Sequence, residues 1–159
     1  MPGRRLRRAT TAAVLTVLAL IVLEPIAIAD QVYHTEKVAF EAVGDAPLRD
    51  GFVVNIHPNG PNVYAHEVYT LKGAESNTGY QVYLVGYVQD PDCSGEASFE
   101  LPTAALTTNA AGNGKSSVKL SPADVEGLRN MTHGVRWVIT HSDSSETVYQ
   151  TACTTVVLD

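Results

Sequence analysis

Residues 62–87 constrain the fold more than any other part of this chain, because they read as two β-strands joined by a tight polar turn. The first limb, Val63-Tyr64-Ala65-His66-Glu67-Val68-Tyr69-Thr70-Leu71, is dense in β-branched and aromatic residues, which suit a pleated, half-buried surface. The second limb, Tyr80-Gln81-Val82-Tyr83-Leu84-Val85-Gly86-Tyr87, alternates in the same way. Between them, Gly73-Ala74-Glu75-Ser76-Asn77-Thr78-Gly79 supplies the Asn and Gly residues that take positive φ readily. The spacing therefore predicts a central two-stranded ribbon onto which the remaining strands pack.

The amino terminus reads differently. Arg4, Arg5, Arg7 and Arg8 form a basic region, residues 12–23 an apolar run, and Ala27-Ile28-Ala29 a small-x-small cleavage pattern. Together they predict an export signal over residues 1–29 and a mature domain over residues 30–159. The apolar run is shorter than the roughly 20 residues that a membrane span requires, so no membrane association is expected after cleavage. The whole chain has 11 basic and 17 acidic residues, and the signal carries away four Arg and one Glu, leaving 7 − 16 = −9. An acidic surface without a basic cluster argues against nucleic acid and against anionic membranes.

Cys93 and Cys153 are the two cysteines. In an exported chain they are expected to form a disulfide. The alternative of free thiols or metal ligands lacks the short Cys-x-x-Cys spacing of zinc and redox sites.

In chain order, residues 30–34 read as a loose arm and residues 36–43 as a first strand. Residues 51–57 form a second, with Phe52, Val54 and Ile56 on one face, ended by the Pro58-Asn59-Gly60-Pro61 turn. Past the ribbon, residues 89–95 are a loop holding Cys93. Residues 104–109 and 115–120 read as a hairpin, and Ser121-Pro122-Ala123-Asp124 starts a helical turn, with Ser at the cap and Pro at the first position. Residues 135–140, which include Trp137, and residues 147–158 complete the set. Seven to eight short strands, one short helical turn and one disulfide predict an all-β fold, a single antiparallel β-sandwich that is immunoglobulin-like in architecture. Trp137 lies nearer the second cysteine than it does in immunoglobulin domains, so the likeness stops at architecture.

Chemistry-bearing residues are sparse. His57 and His66 flank the Pro-Asn-Gly-Pro turn, and with Glu67 and His34 they are weak candidates for a divalent-metal site. The favoured reading is that they are ordinary strand residues, so no metal or cofactor is expected. No Gly-x-Ser-x-Gly elbow occurs, and an oxidised Cys93 cannot attack, so no enzyme is expected. Asp90-Pro91-Asp92 lacks the ordered oxygen spacing of a calcium loop. Asn130-Met131-Thr132 matches the Asn-x-Ser/Thr acceptor pattern. The tyrosines of the ribbon are the strongest surface signal: Tyr83 and Tyr87 share one face of their strand, and Tyr64 shares a face with His66 and Val68. Such rings make flat, amphipathic platforms for sugars or proteins, although Tyr also serves simply as a strand residue.

The segments Asn59-Gly60-Pro61, Tyr64-Ala65-His66-Glu67-Val68-Tyr69, Thr108-Asn109-Ala110-Ala111-Gly112-Asn113-Gly114, Ser121-Pro122-Ala123-Asp124-Val125 and Tyr149-Gln150-Thr151-Ala152-Cys153 carry a resemblance. They resemble small, uncharacterised exported β-domain proteins of actinobacteria-like bacteria. That resemblance implies an exported β-domain and brings no activity, cofactor or catalytic residue. The resulting expectation is a secreted, non-enzymatic binding module for a cell-envelope glycan or a secreted protein, presented by Tyr64, Tyr83 and Tyr87. The alternative is an exported metal-binding protein using His57 and His66.

Overall fold

The computed structural model describes residues 31–59, 65–125, 127–128 and 131–158. The predicted export signal, Tyr64, the turn residues Gly60 and Pro61, and Asn130 of the acceptor pattern lie outside the described residues. The described chain forms nine strands: β1 (Gln31–Ala42), β2 (Asp50–Asn59), β3 (Ala65–Lys72), β4 (Gly79–Val88), β5 (Phe99–Thr107), β6 (Gly114–Leu120), β7 (Met131–His141), β8 (Thr147–Thr151) and β9 (Thr154–Leu158). A short 3-10 turn, Pro122–Val125, sits between β6 and β7. Its entry is closed as the sequence implies. The Asp124 carboxylate accepts from the Ser121 amide at 2.7 Å and from its hydroxyl at 2.9 Å, which is the carboxylate half of a capping box, while the Asp124 amide donates to the Ser121 carbonyl.

All pairings are antiparallel, in the order β5-β4-β7-β8-β1-β2-β3-β6, with β9 also against β7. The two ends of that order, β5 and β6, are consecutive in sequence and meet at the turn that joins them. The result is a nearly closed, barrel-like sheet and not clearly a two-sheet sandwich. β1 makes the continuity: residues up to Ala39 pair with β2, while Phe40, Glu41 and Ala42 pair with β8. The residues expected to be a loose arm are thus the start of β1, with Gln31 opposite Asn59. Pairing even runs through Pro58, at a register shift on the β1 side, which is where a strand tolerates proline.

Two further expectations are corrected. β3 and β4 are not a ribbon: β3 pairs with β2 and β6, and β4 with β5 and β7. The polar segment between them crosses from one side of the barrel to the other. The expected last strand is two, β8 and β9, which run along the same flank of β7 with a break at Ala152-Cys153.

Strand alternation sorts the side chains. β3 reads strictly buried then half-buried from Ala65 to Lys72, so Ala65, Glu67, Tyr69 and Leu71 point inward. Trp137, Tyr69, Tyr80, Tyr149, Leu71, Ile139, Val53 and Val82 fill the interior with almost no exposure. The Cys93–Cys153 disulfide, with Cα atoms 5.9 Å apart, ties the β4–β5 loop to the β8–β9 break. Gly134 on β7 gives it room, because a Cβ there would lie 2.7 Å from Cys93 Sγ.

Candidate functional site

The proposed metal pair does not converge. Ile56 is the cross-strand partner of His66, and directly opposed residues share a face. His66 therefore points outward with Ile56, while His57 points inward with Asn55. His57 Nε2 accepts a 2.8 Å hydrogen bond from Asn55 Nδ2. Glu67 faces inward as well, away from His66. Among the described residues no group of three or more His, Cys, Asp or Glu side chains stands close enough to hold a metal ion. Asp90 is an internal cap: the Gly95 amide donates to its Oδ2 at 2.7 Å and Ser94 Oγ to its Oδ1 at 3.1 Å. Those donors, led by Gly95, hold its carboxyl below the usual range.

The tyrosines divide by parity. Tyr69 and Tyr80 are buried, and burial raises the Tyr69 hydroxyl pKa far above its ordinary value. Tyr83 and Tyr87 are half-buried on the outward face of β4. By the ~3.3 Å strand rise they stand about 13 Å apart, on either side of the outward-facing Val85. Both line one open groove of about 400 Å³ that runs over β4, β7 and β8 and includes Val138, Thr140, Thr147 and Gln150. Cross-strand pairing sets Glu100 on one side of Val85 and Arg136 on the other. The Arg136 guanidinium lies 5.8 Å from the Tyr87 ring centre. Thr140 Oγ1, buried in the groove floor, has no hydrogen-bond partner. The groove thus offers two aromatic rings, an acid and an unmet hydroxyl, with the Arg136 guanidinium beside the Tyr87 ring.

A second recess lies inside the barrel, at the end where β2, β4 and β6 finish and β3, β5 and β7 begin. It is a cavity of about 40 Å³ with apolar walls from Phe99, Leu120, Leu128 and Val156 among others. Gly86 makes its shape possible, since a Cβ there would sit 2.1 Å from the Phe99 ring. The polar lining is Asn55, His57, Glu67, His133 and Trp137. Glu67 is 1% exposed, and burial holds its carboxyl above the usual range against hydrogen bonding from Tyr69 and Trp137. The Tyr69 hydroxyl donates to Glu67 Oε2 and lies 2.7 Å from Thr103 Oγ1, which donates to the Val82 carbonyl at 3.3 Å. The Trp137 indole N–H faces the same carboxyl without reaching full hydrogen-bond geometry.

The sequence singled out Tyr83 and Tyr87 correctly as a pair on one face. It missed the groove's β7 and β8 residues, because these come from strands more than 45 residues further along the chain. The interior cluster was missed for another reason. Glu67 and Asn55 occupy inward positions of alternating strands, and polar residues at core parity were the available signal. Comparison with known proteins finds no matching family model, no matching curated protein and no matching solved structure.

Proposed function

We propose that the mature domain is a secreted, non-enzymatic binding module whose outward β4–β7–β8 face docks a cell-envelope glycan. One observation carries this reading: Tyr83 and Tyr87 emerge on the same outward face into one groove. Sugar rings present an apolar face to aromatic side chains and hydroxyls to polar ones, and Glu100, Arg136, Thr140 and Gln150 supply the polar partners here. Export rests on the amino-terminal signal. The disulfide is compatible with an oxidising compartment. No helix among the described residues is long and apolar enough to cross a membrane.

Titration of the oxidised protein with soluble cell-wall glycan fragments tests the reading. Replacing both Tyr83 and Tyr87 by Ala should weaken binding at least tenfold, about 1.4 kcal/mol or more, with the melting temperature nearly kept. A glycan that binds equally well to the double variant places its site elsewhere. Absence of glycan binding combined with tyrosine-dependent capture of a secreted protein would replace the sugar with a protein partner.

A further inference from the structure

A basin on the outer wall of the barrel carries a separate proposal. It lies where β2 begins, β3 ends and β6 begins, at the opposite end from the interior cavity. The basin is shallow and open, about 390 Å³, and Arg49, Thr70, Lys72, Asn113 and Lys115 are among the residues that line it. Three cations thus share one recess, and no carboxylate lines it among the described residues. The mature chain has only 7 basic residues against 16 acidic ones, so this concentration runs against the charge of the whole. The three cations are far apart in sequence, which is why the sequence showed no basic cluster.

Strand register assembles the set. Lys115 is the cross-strand partner of Thr70, so the two share the outward face, and Lys72 follows on the same face of β3 two residues later. The Arg49 amide donates to the Lys72 carbonyl at 3.0 Å, which brings the third cation alongside. Gly73, with φ of 67°, allows that approach, because a Cβ there would lie 2.8 Å from Arg49 Cβ. The Gly73 amide also donates to Asn113 Oδ1 at 3.3 Å, tying the β3 wall to the β6 wall. Lys119 lies opposite His66, and Lys37 opposite Val54, itself opposite Val68. Both therefore face outward on the same sheet as Thr70 and add to the positive field. Asp50 is the acid beside them: its Oδ2 is 2.8 Å from Lys72 Nζ, and that bond, with the charge of Lys37 behind it, holds its carboxyl below the usual range. The local balance of the basin is 3 − 1 = +2.

We propose that this basin binds a dianionic phosphate group, either free or as a monoester. The Arg49 guanidinium offers a planar fork suited to two phosphate oxygens, and Lys72 and Lys115 offer ammonium point charges. The Thr70 hydroxyl beside them is a further donor. A phosphate monoester carries about −1.5 to −2 charges at pH 7, which matches the local balance. A carboxylate or a phosphodiester carries a single charge and leaves part of that balance unmet. The openness of the basin leaves the group that bears the phosphate free to extend into solvent. The site belongs to β3 and β6, away from the β4–β7–β8 groove, so it stands or falls independently of the glycan reading.

Calorimetric titration of the oxidised protein, at one fixed ionic strength, with inorganic phosphate, glycerol 3-phosphate, dimethyl phosphate and acetate tests the proposal. The two dianions should bind about tenfold tighter than the two monoanions, or more, and whichever dianion binds better shows whether free phosphate or the ester is preferred. Arg49→Gln combined with Lys115→Gln should weaken the dianions by about tenfold or more. Lys37→Gln combined with Lys119→Gln, outside the basin, should weaken them by about twofold at most, since screened charges act weakly. An equal loss in the two double variants would reduce the site to diffuse attraction and overturn the proposal. Acetate or dimethyl phosphate binding as tightly as the dianions overturns it too, as does the absence of binding by all four. The replaced side chains are exposed, and the comparison of ligands on the parent protein needs no variant.

Discussion

The two ends of the barrel are built on opposite principles. At one end the crossing segment between β3 and β4 meets the β5–β6 turn, and the backbone there is heavily bonded. The Ala74 amide donates to the Gly112 carbonyl, Asn77 to Asn109, and Thr108 to Thr78, all at 3.0–3.1 Å. Thr108 Oγ1 adds a 2.6 Å bond to the Glu75 carbonyl and accepts from the Thr78 amide. Asn109 Oδ1 accepts from both Ala111 and Asn113. At the other end, Asn55 Oδ1, His133 Nδ1 and Trp137 Nε1 surround a cavity with no such bonds. Buried polar groups are ordinarily satisfied. The backbone of the first end follows that rule, although Tyr80 Oη beside it has no partner, and the other end departs from it at three adjacent side chains. Departures of this kind concentrate where function displaces stability.

The largest test of the contrast is loss of the disulfide, which staples only the cavity end. The loop it closes, with a sequence separation of 60, makes Cys93→Ser with Cys153→Ser cost roughly 4 kcal/mol in the chain-entropy account. Hydrogen exchange should then accelerate first at β7 residues 131–135 and β9, while Ala74, Asn77 and Thr108 keep their protection. Uniform acceleration would mean that the two ends unfold as one.

Next in size is Gly112→Ala at the bonded end. Gly112 has φ of 71°, and a Cβ would fall 2.0 Å from the Ala74 carbonyl oxygen. Strained backbone and overpacking together cost about 3 kcal/mol, read as a lowered denaturation midpoint. An unchanged midpoint would show that the clasp gives way freely.

Thr108→Val keeps shape and removes the hydroxyl at the centre of the clasp, leaving the Glu75 carbonyl and Thr78 amide short of partners. A loss of about 1–3 kcal/mol follows, and hydrogen exchange at Thr78 should speed up most.

The smallest effect runs the other way. Burial holds the folded Glu67 carboxyl above its ordinary range, so the folded state holds the proton more tightly than the unfolded state. Its stabilising contribution is complete below the unfolded value and is lost as pH rises through the folded one. Glu67→Gln keeps the hydrogen bonding and removes that loss. The variant should match the parent near pH 4 and exceed it above, the gap growing by at most about 1.4 kcal/mol per pH unit. Denaturant midpoints across pH check it, and a variant less stable at pH 8 would place an ionised, well-held Glu67 in the fold.

Strand existence was legible from local pattern. β3 alternates without a fault over residues 65–72, and the parity of Tyr83 and Tyr87 followed from the same period. Strand partners were not legible. The polar segment of residues 73–79 has the composition of a hairpin turn, yet it is a crossing whose amides are satisfied by the distant β5–β6 turn. Pro58 and Asn59, by contrast, close β2, and the strand that follows them, β3, does pair with β2. Composition alone does not distinguish the two cases, because Gly and Asn permit a reversal without requiring that its flanks be neighbours.

By itself the sequence determined what short-range chemistry controls: an all-β chain, which side chains share a face, the capped 3-10 turn at Ser121, and a pair of cysteines suited to one bridge. Tertiary structure alone decided that β3 parts from β4, that His57 and His66 face opposite ways, and that Glu67, Asn55, His133 and Trp137 surround one cavity. The physical reason is range. Side-chain alternation is a property of two consecutive peptide units, whereas strand order is settled by closing the sheet over a common core, a condition that involves every strand at once.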